Sequence, residues 1–123
     1  MKIQDLSVGD WVRVINQFDA QIYGYHCESG SLSLKTRQGH LVYYRLEDIN
    51  PIPLTPEILE KNGFVKEEDE DGSKRYSLIE GGTKFSLGYA RSVFQWTFPI
   101  DVRYVHELQH FLRICGVGKE IEL

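Results

Sequence analysis

Polar and apolar residues alternate through the first third of the chain. The alternating stretches are Trp11-Val12-Arg13-Val14-Ile15, Gln21 to Cys27, Ser31 to Thr36 and His40 to Leu46. A period of two, rich in aromatic and β-branched residues, predicts four strands. Val12 and Val14 share one face and Trp11, Arg13 and Ile15 the other, while Leu32 and Leu34 point inward. Glu28-Ser29-Gly30 and Arg37-Gln38-Gly39 are turns, and Gly24 marks a bulge or tight bend. Ile49 to Leu54 is a fifth short piece. Residues 1–54 therefore predict a β meander that curls into a small barrel, because closure removes exposed edges.

The period then changes. Asn50-Pro51-Ile52-Pro53-Leu54 is an extended connector. Thr55 is an N-cap, Pro56 occupies the first helical position and Gly63 ends a short helix, with Phe64 packing back on it. Phe64 to Lys66, Arg75 to Ile79, Lys84 to Tyr89 and Val93 to Phe98 read as strands. Asp71-Gly72 and Glu80-Gly81-Gly82 are turns between them, and Glu67 to Asp71 form a solvated acidic loop tip. Pro99 ends the last of these strands. Asp101 to Cys115 is the long helix, with Asp101 as N-cap, Ile100 and Val105 as a hydrophobic staple and Gly116 as C-terminal cap. At about 100° per residue, Tyr104, Val105, Leu108, Phe111, Leu112 and Cys115 form its apolar arc, with His106, His110 and Arg113 opposite. Glu120 to Leu123 is a short edge strand. The fold class is α+β: a meander over 1–54, then an α-β-β-β-α unit over 55–123 with a C-terminal amphipathic helix, packed as one compact protein.

Composition narrows the function classes. The chain has 123 residues, 41% of them hydrophobic, and a formal charge of −4. The five consecutive acids Glu67 to Asp71 exceed that imbalance, so the rest is nearly neutral. The first half holds five Lys or Arg against six Asp or Glu. That is not the basic footprint of a nucleic-acid binder. Cys27 and Cys115 are far apart and fit reduced, half-buried thiols. The first residues lack the apolar core of a signal peptide, and no apolar run is long enough for a membrane span. These features predict a cytoplasmic protein.

One string has the form of a catalytic motif. His106-Glu107-Leu108-Gln109-His110 matches H-E-x-x-H, where two histidines four apart reach one zinc and the glutamate acts as general base. His106 and His110 are thus candidate metal ligands and Glu107 the candidate catalytic base. A third ligand is missing: Arg113 and Gly116 break the longer metzincin pattern, and only thirteen residues follow His110. Zinc is therefore not expected, and the motif is expected on a solvent-facing arc. The other candidate is a surface on the meander: Trp11, Tyr23, Tyr43, Tyr44 and Arg45, with Tyr25, Arg13 and Arg37 nearby. Such residues could line a groove for a peptide or a nucleic-acid strand. Equally, half of any strand's aromatics face the core. His26 and His40 read as surface or satisfied histidines.

Two resemblances add to this. Val8-Gly9-Asp10-Trp11-Val12 resembles the first strand of SH3-like barrels, which bears on architecture only. Leu6 to Val12, Pro51 to Phe64 and Tyr104 to His110 together resemble a family of small uncharacterised proteins of Bacteroides-type bacteria and their prophages or mobile elements. Members of that family often carry Gln and Asn where Glu107 and His110 stand, which implies that the zinc motif is incidental here. The resemblance implies a bacterial or phage cytoplasmic setting and transfers no activity. The expected function is a non-enzymatic binding or accessory protein acting through protein contacts, with a partner protein or a second copy. A zinc peptidase at His106-Glu107-His110 and a nucleic-acid module are the alternatives.

Overall fold

The computed structural model describes residues 5–15, 17–26, 28–70, 72–90, 93–97 and 100–123. The chain divides into two compact units, Met1–Ile52 and Pro53–Leu123. The expected ends of one strand at Phe98 and Pro99, and the thiol of Cys27, lie outside the described residues.

The first unit is the expected meander. Its strands are β1 (Trp11–Val14), β2 (Asp19–His26), β3 (Ser31–Lys35), β4 (Leu41–Arg45) and β5 (Ile49–Pro51), with a 3₁₀ turn at Leu46–Asp48 before β5. They form one antiparallel sheet in the order β4-β3-β2-β1-β5. The barrel does not close by hydrogen bonding: among the described residues β4 and β5 are the two edges. Each has only three to five residues, and short edges offer little template for misplaced pairing. Alternation places Val12, Val14, Ala20, Ile22, Leu32, Leu34 and Ile49 in one buried cluster. Phe18, Val42, Tyr44 and Leu46 pack against it. The register shifts between Ile22 and Gly24, so the bulge expected at Gly24 is present.

The second unit begins with α1 (Pro56–Lys61). Thr55 Oγ1 accepts from the Ile58 N–H at 3.3 Å, and Pro56 stands where a missing N–H costs nothing. Gly63, at φ 90°, gives its N–H to Glu60 O, and Phe64 gives its own to Leu59 O. That pair of bonds is a Schellman cap, and buried Phe64 closes it. The sheet follows: β6 (Val65–Glu68), β7 (Lys74–Glu80), β8 (Thr83–Ala90), β9 (Val93–Thr97) and β10 (Ile100–Val102), in the order β10-β9-β8-β7-β6. Its buried face includes Tyr76, Leu78, Phe85, Leu87 and Phe94. Phe64 meets Phe85 edge-on at 6.3 Å, and Tyr76 meets Phe94 at 5.6 Å.

Four expectations are corrected here. Glu67 and Glu68 are strand residues, not loop, because they pair with Arg75 and Lys74 across β6 and β7. Cross-strand charge pairing makes an acidic edge strand tolerable. Ile100 to Val102 is a strand, so the helix does not start at Asp101 and the staple does not form. Asp101 instead accepts from Gln95 on β9 and pairs with Arg103. The sheet therefore has five strands rather than three to four. Lastly, Glu120 to Leu123 is not a strand. Both backbone polar groups of Glu122 bond the side chain of Asn62, at 2.7 Å each.

The closing helix, α2 (Val105–Ile114), ends in a second Schellman cap: Gly116 N donates to Arg113 O and Val117 N to Leu112 O. No helix of the described residues is long and apolar enough to cross a membrane.

Candidate binding face of the N-terminal sheet

The structure changes the meaning of the helix motif. The buried residues of α2 are Val105, His106, Leu108, Gln109 and Leu112. On a wheel of about 100° per residue, that arc is turned by roughly 80° from the expected one. It takes in His106, only 6% exposed, and leaves Phe111 and Cys115 half-buried. The expectation of a solvent-facing His106 is therefore corrected. Its ring lies parallel to Tyr104 at 5.8 Å (interplanar angle 7°) and meets His110 edge-on at 5.8 Å. An imidazole has an apolar ring body, and a wheel that scores it as polar puts it on the wrong side.

Glu107 has a structural task. Its carboxylate accepts from the N–H groups of Arg103 and Tyr104, both at 3.0 Å. At the third helical position it caps the N-terminus and meets the positive end of the helix dipole. No group of three or more His, Cys, Asp or Glu able to hold a metal occurs among the described residues. The arrangement predicts that Glu107→Gln, which keeps an acceptor oxygen, lowers stability by about 0.5 kcal/mol, and Glu107→Ala by about 1 kcal/mol. Urea denaturation checks this.

The N-terminal sheet presents a different picture. Register places Trp11, Gln21, Lys35 and Leu41 in one row across the face away from the core. Gly24, Ser33 and Tyr43 make the next row, and His26, Ser31 and Arg45 the one after it. Of the sequence-derived surface, Trp11, Tyr43 and Arg45 thus share a face. Tyr44 does not: alternation turns it to the core side, where it meets Phe18 edge-on at 5.9 Å. Tyr23, exposed, sits at the bulge. Trp11 is buried, with the Arg37 guanidinium 5.8 Å above its ring.

The basic side chains of this unit are largely satisfied internally. Arg13 Nε donates to Asp19 at 2.8 Å, and that hydrogen bond raises the guanidinium pKa further above its ordinary value. Arg37 lies 3.9 Å from the same carboxylate, and Arg45 lies 3.7 Å from Glu47. A phosphate backbone would have to compete with these partners. In a small depression beside them, lined by Phe18, Asp19, Thr36, Arg37 and Gln38, the Asp19 carboxylate is shared between Arg13 and Arg37.

What stands open is the hairpin end of β2 and β3. A shallow cleft of about 590 Å³ is lined there by Tyr25, His26, Glu28, Ser29, Ser31 and Tyr43. Tyr43 is 59% exposed and Tyr25 45%. The rings of His26 and Tyr43 lie 5.6 Å apart at 55°. Next to them Gly24 brings no side chain, and a Cβ there would stand 3.1 Å from Ser33 Oγ. Bulk on one side and small residues on the other make the relief of the face. Only Tyr43 of the cleft belonged to the core set of expected surface residues, with Tyr25 beside it. The signal for His26 and Ser31 was present in the alternation: the Glu28-Ser29-Gly30 turn fixes their pairing, and β4 adds Tyr43 one row away.

The chain matches no protein-family model, no curated protein and no solved structure.

Proposed function

We propose that this protein is a non-catalytic binding or accessory protein that works through protein contacts, and that the cleft at the β2–β3 hairpin end receives a segment of its partner. One observation carries the reading: exposed Tyr43 and His26 meet ring to ring at 5.6 Å on a cleft whose lining also holds hydroxyl and carboxylate groups. Exposed tyrosines supply large contact area at small entropic cost and are enriched among residues that dominate binding energy. The bacterial or prophage setting and the cytoplasmic location belong to the same reading and are supported by the sequence resemblance. A zinc peptidase gains no support, since Glu107 is engaged at the helix N-terminus and His106 is buried.

Selection of random heptapeptides on the full chain tests the proposal. The expected result is a set of peptides whose affinity falls at least about tenfold on Tyr43→Ala. Peptides that bind the variant as well as the wild type would remove the cleft from the account. Zinc titration followed by calorimetry should show no stoichiometric tight binding at neutral pH. One zinc per chain, lost on His110→Ala, would reinstate the metal site.

A further inference from the structure

The cleft carries information about the chemistry of its occupant. The rings of His26 and Tyr43 meet at 5.6 Å on it, Glu28 is the one carboxylate of its lining, and the other polar side-chain groups there are hydroxyls of Ser29, Ser31 and the tyrosines and the ring nitrogens of His26. Among the described residues, no lysine or arginine lines it. Among the described residues, none lies within ion-pair distance of Glu28. The nearest cation by register is Arg45, opposite Ser31, and it lies 3.7 Å from Glu47. The site thus offers ring faces and an unneutralised negative charge side by side.

We propose that the cleft takes an arginine side chain of the partner, a reading that rests on the binding role proposed above. Aromatic faces attract cations through the ring quadrupole. Among biological cations the guanidinium is weakly hydrated, planar and able to stack on a ring while its edge bonds a carboxylate. Tyr43 and His26, at 5.6 Å, supply the stacking faces and Glu28 the anion. A lysine ammonium, compact and strongly hydrated, gains less from the same walls. An anionic or purely apolar side chain would leave Glu28 facing repulsion or losing water without compensation.

The test uses the full chain and the selected heptapeptides, each resynthesised with arginine replaced by citrulline, its neutral isostere. The inference expects the selected peptides to contain arginine, to lose at least about tenfold in affinity on the citrulline exchange, and to weaken about tenfold on Glu28→Gln. Binding should also fall as salt rises. Glu28 is exposed, so Glu28→Gln leaves folding intact, and an unchanged melting temperature confirms that. Peptides that depend on Tyr43 but tolerate citrulline, or that carry lysine in place of arginine, overturn the arginine assignment and leave the binding role standing. No Tyr43-dependent peptide at all overturns both.

Discussion

Leu108→Ala is expected to lower the unfolding free energy by about 3 kcal/mol, seen as a reduced urea midpoint with an unchanged slope. Leu108 is the middle residue of the H-E-x-x-H string and is fully buried on α2, in the arc with Val105 and Leu112. Truncation removes three carbons from water-free packing and leaves a cavity that a helix capped at both ends cannot collapse into. The contrast with its neighbour is the point. Glu107→Gln should cost several times less, because that carboxylate only caps a helix end. A motif whose apolar residue outweighs its glutamate in stability is behaving as a packed helix. A loss below about 1 kcal/mol for Leu108→Ala would mean that α2 does not pack as described.

The second large effect belongs to Asn62. Its Nδ2 donates to Ile58 O at 2.8 Å and to Glu122 O at 2.7 Å, and its Oδ1 accepts from Glu122 N at 2.7 Å. The residue is 2% exposed, and Ile121 beside the clamp is buried at 3%. Asn62→Ala strips partners from the tail backbone and is expected to cost about 2–4 kcal/mol, with early hydrogen exchange at Glu122. Asn62→Asp separates the bonds by type. The introduced carboxylate keeps the bond from Glu122 N but faces two carbonyl oxygens. Its pKa is raised in the fold, so its destabilisation is greatest above the folded pKa and shrinks as pH falls and the group binds a proton. A pH-independent loss, or one below about 1 kcal/mol in either variant, would show that the tail is not held there.

Much of the architecture is written in local pattern. The meander follows from alternation, and both helix ends follow from Gly63 and Gly116, whose positive φ completes Schellman caps. The bulge at Gly24 was equally legible. The failures share one cause, which is that the deciding contacts join one segment to another and are absent from the pattern within either. Asp101 has the composition of an N-cap, yet Gln95 and Arg103 draw it into a strand end. Glu67 and Glu68 look like a solvated loop until Arg75 and Lys74 stand opposite. The tail pairs with a side chain sixty positions earlier, which no periodicity reveals.

The candidate site shows the same division. Tyr43 and Tyr44 were expected on one surface, but the period of two turns adjacent strand residues to opposite faces, so only Tyr43 is outward. His26 by its sequence alone reads as a surface or satisfied histidine. It matters only because hairpin register sets it 5.6 Å from Tyr43. For the helix motif, sequence already showed the missing third ligand. The capping role of Glu107 and the burial of His106 required the three-dimensional helix start at Val105.

The most direct test of the account compares two variants of the full chain against one selected peptide. Tyr43→Ala is expected to weaken binding at least about tenfold while leaving the melting temperature unchanged, since the ring is 59% exposed. His110→Ala should leave binding unaltered. Wild-type affinity in Tyr43→Ala, or loss of binding in His110→Ala, would contradict the claim that the sheet cleft rather than the helix motif is the working surface.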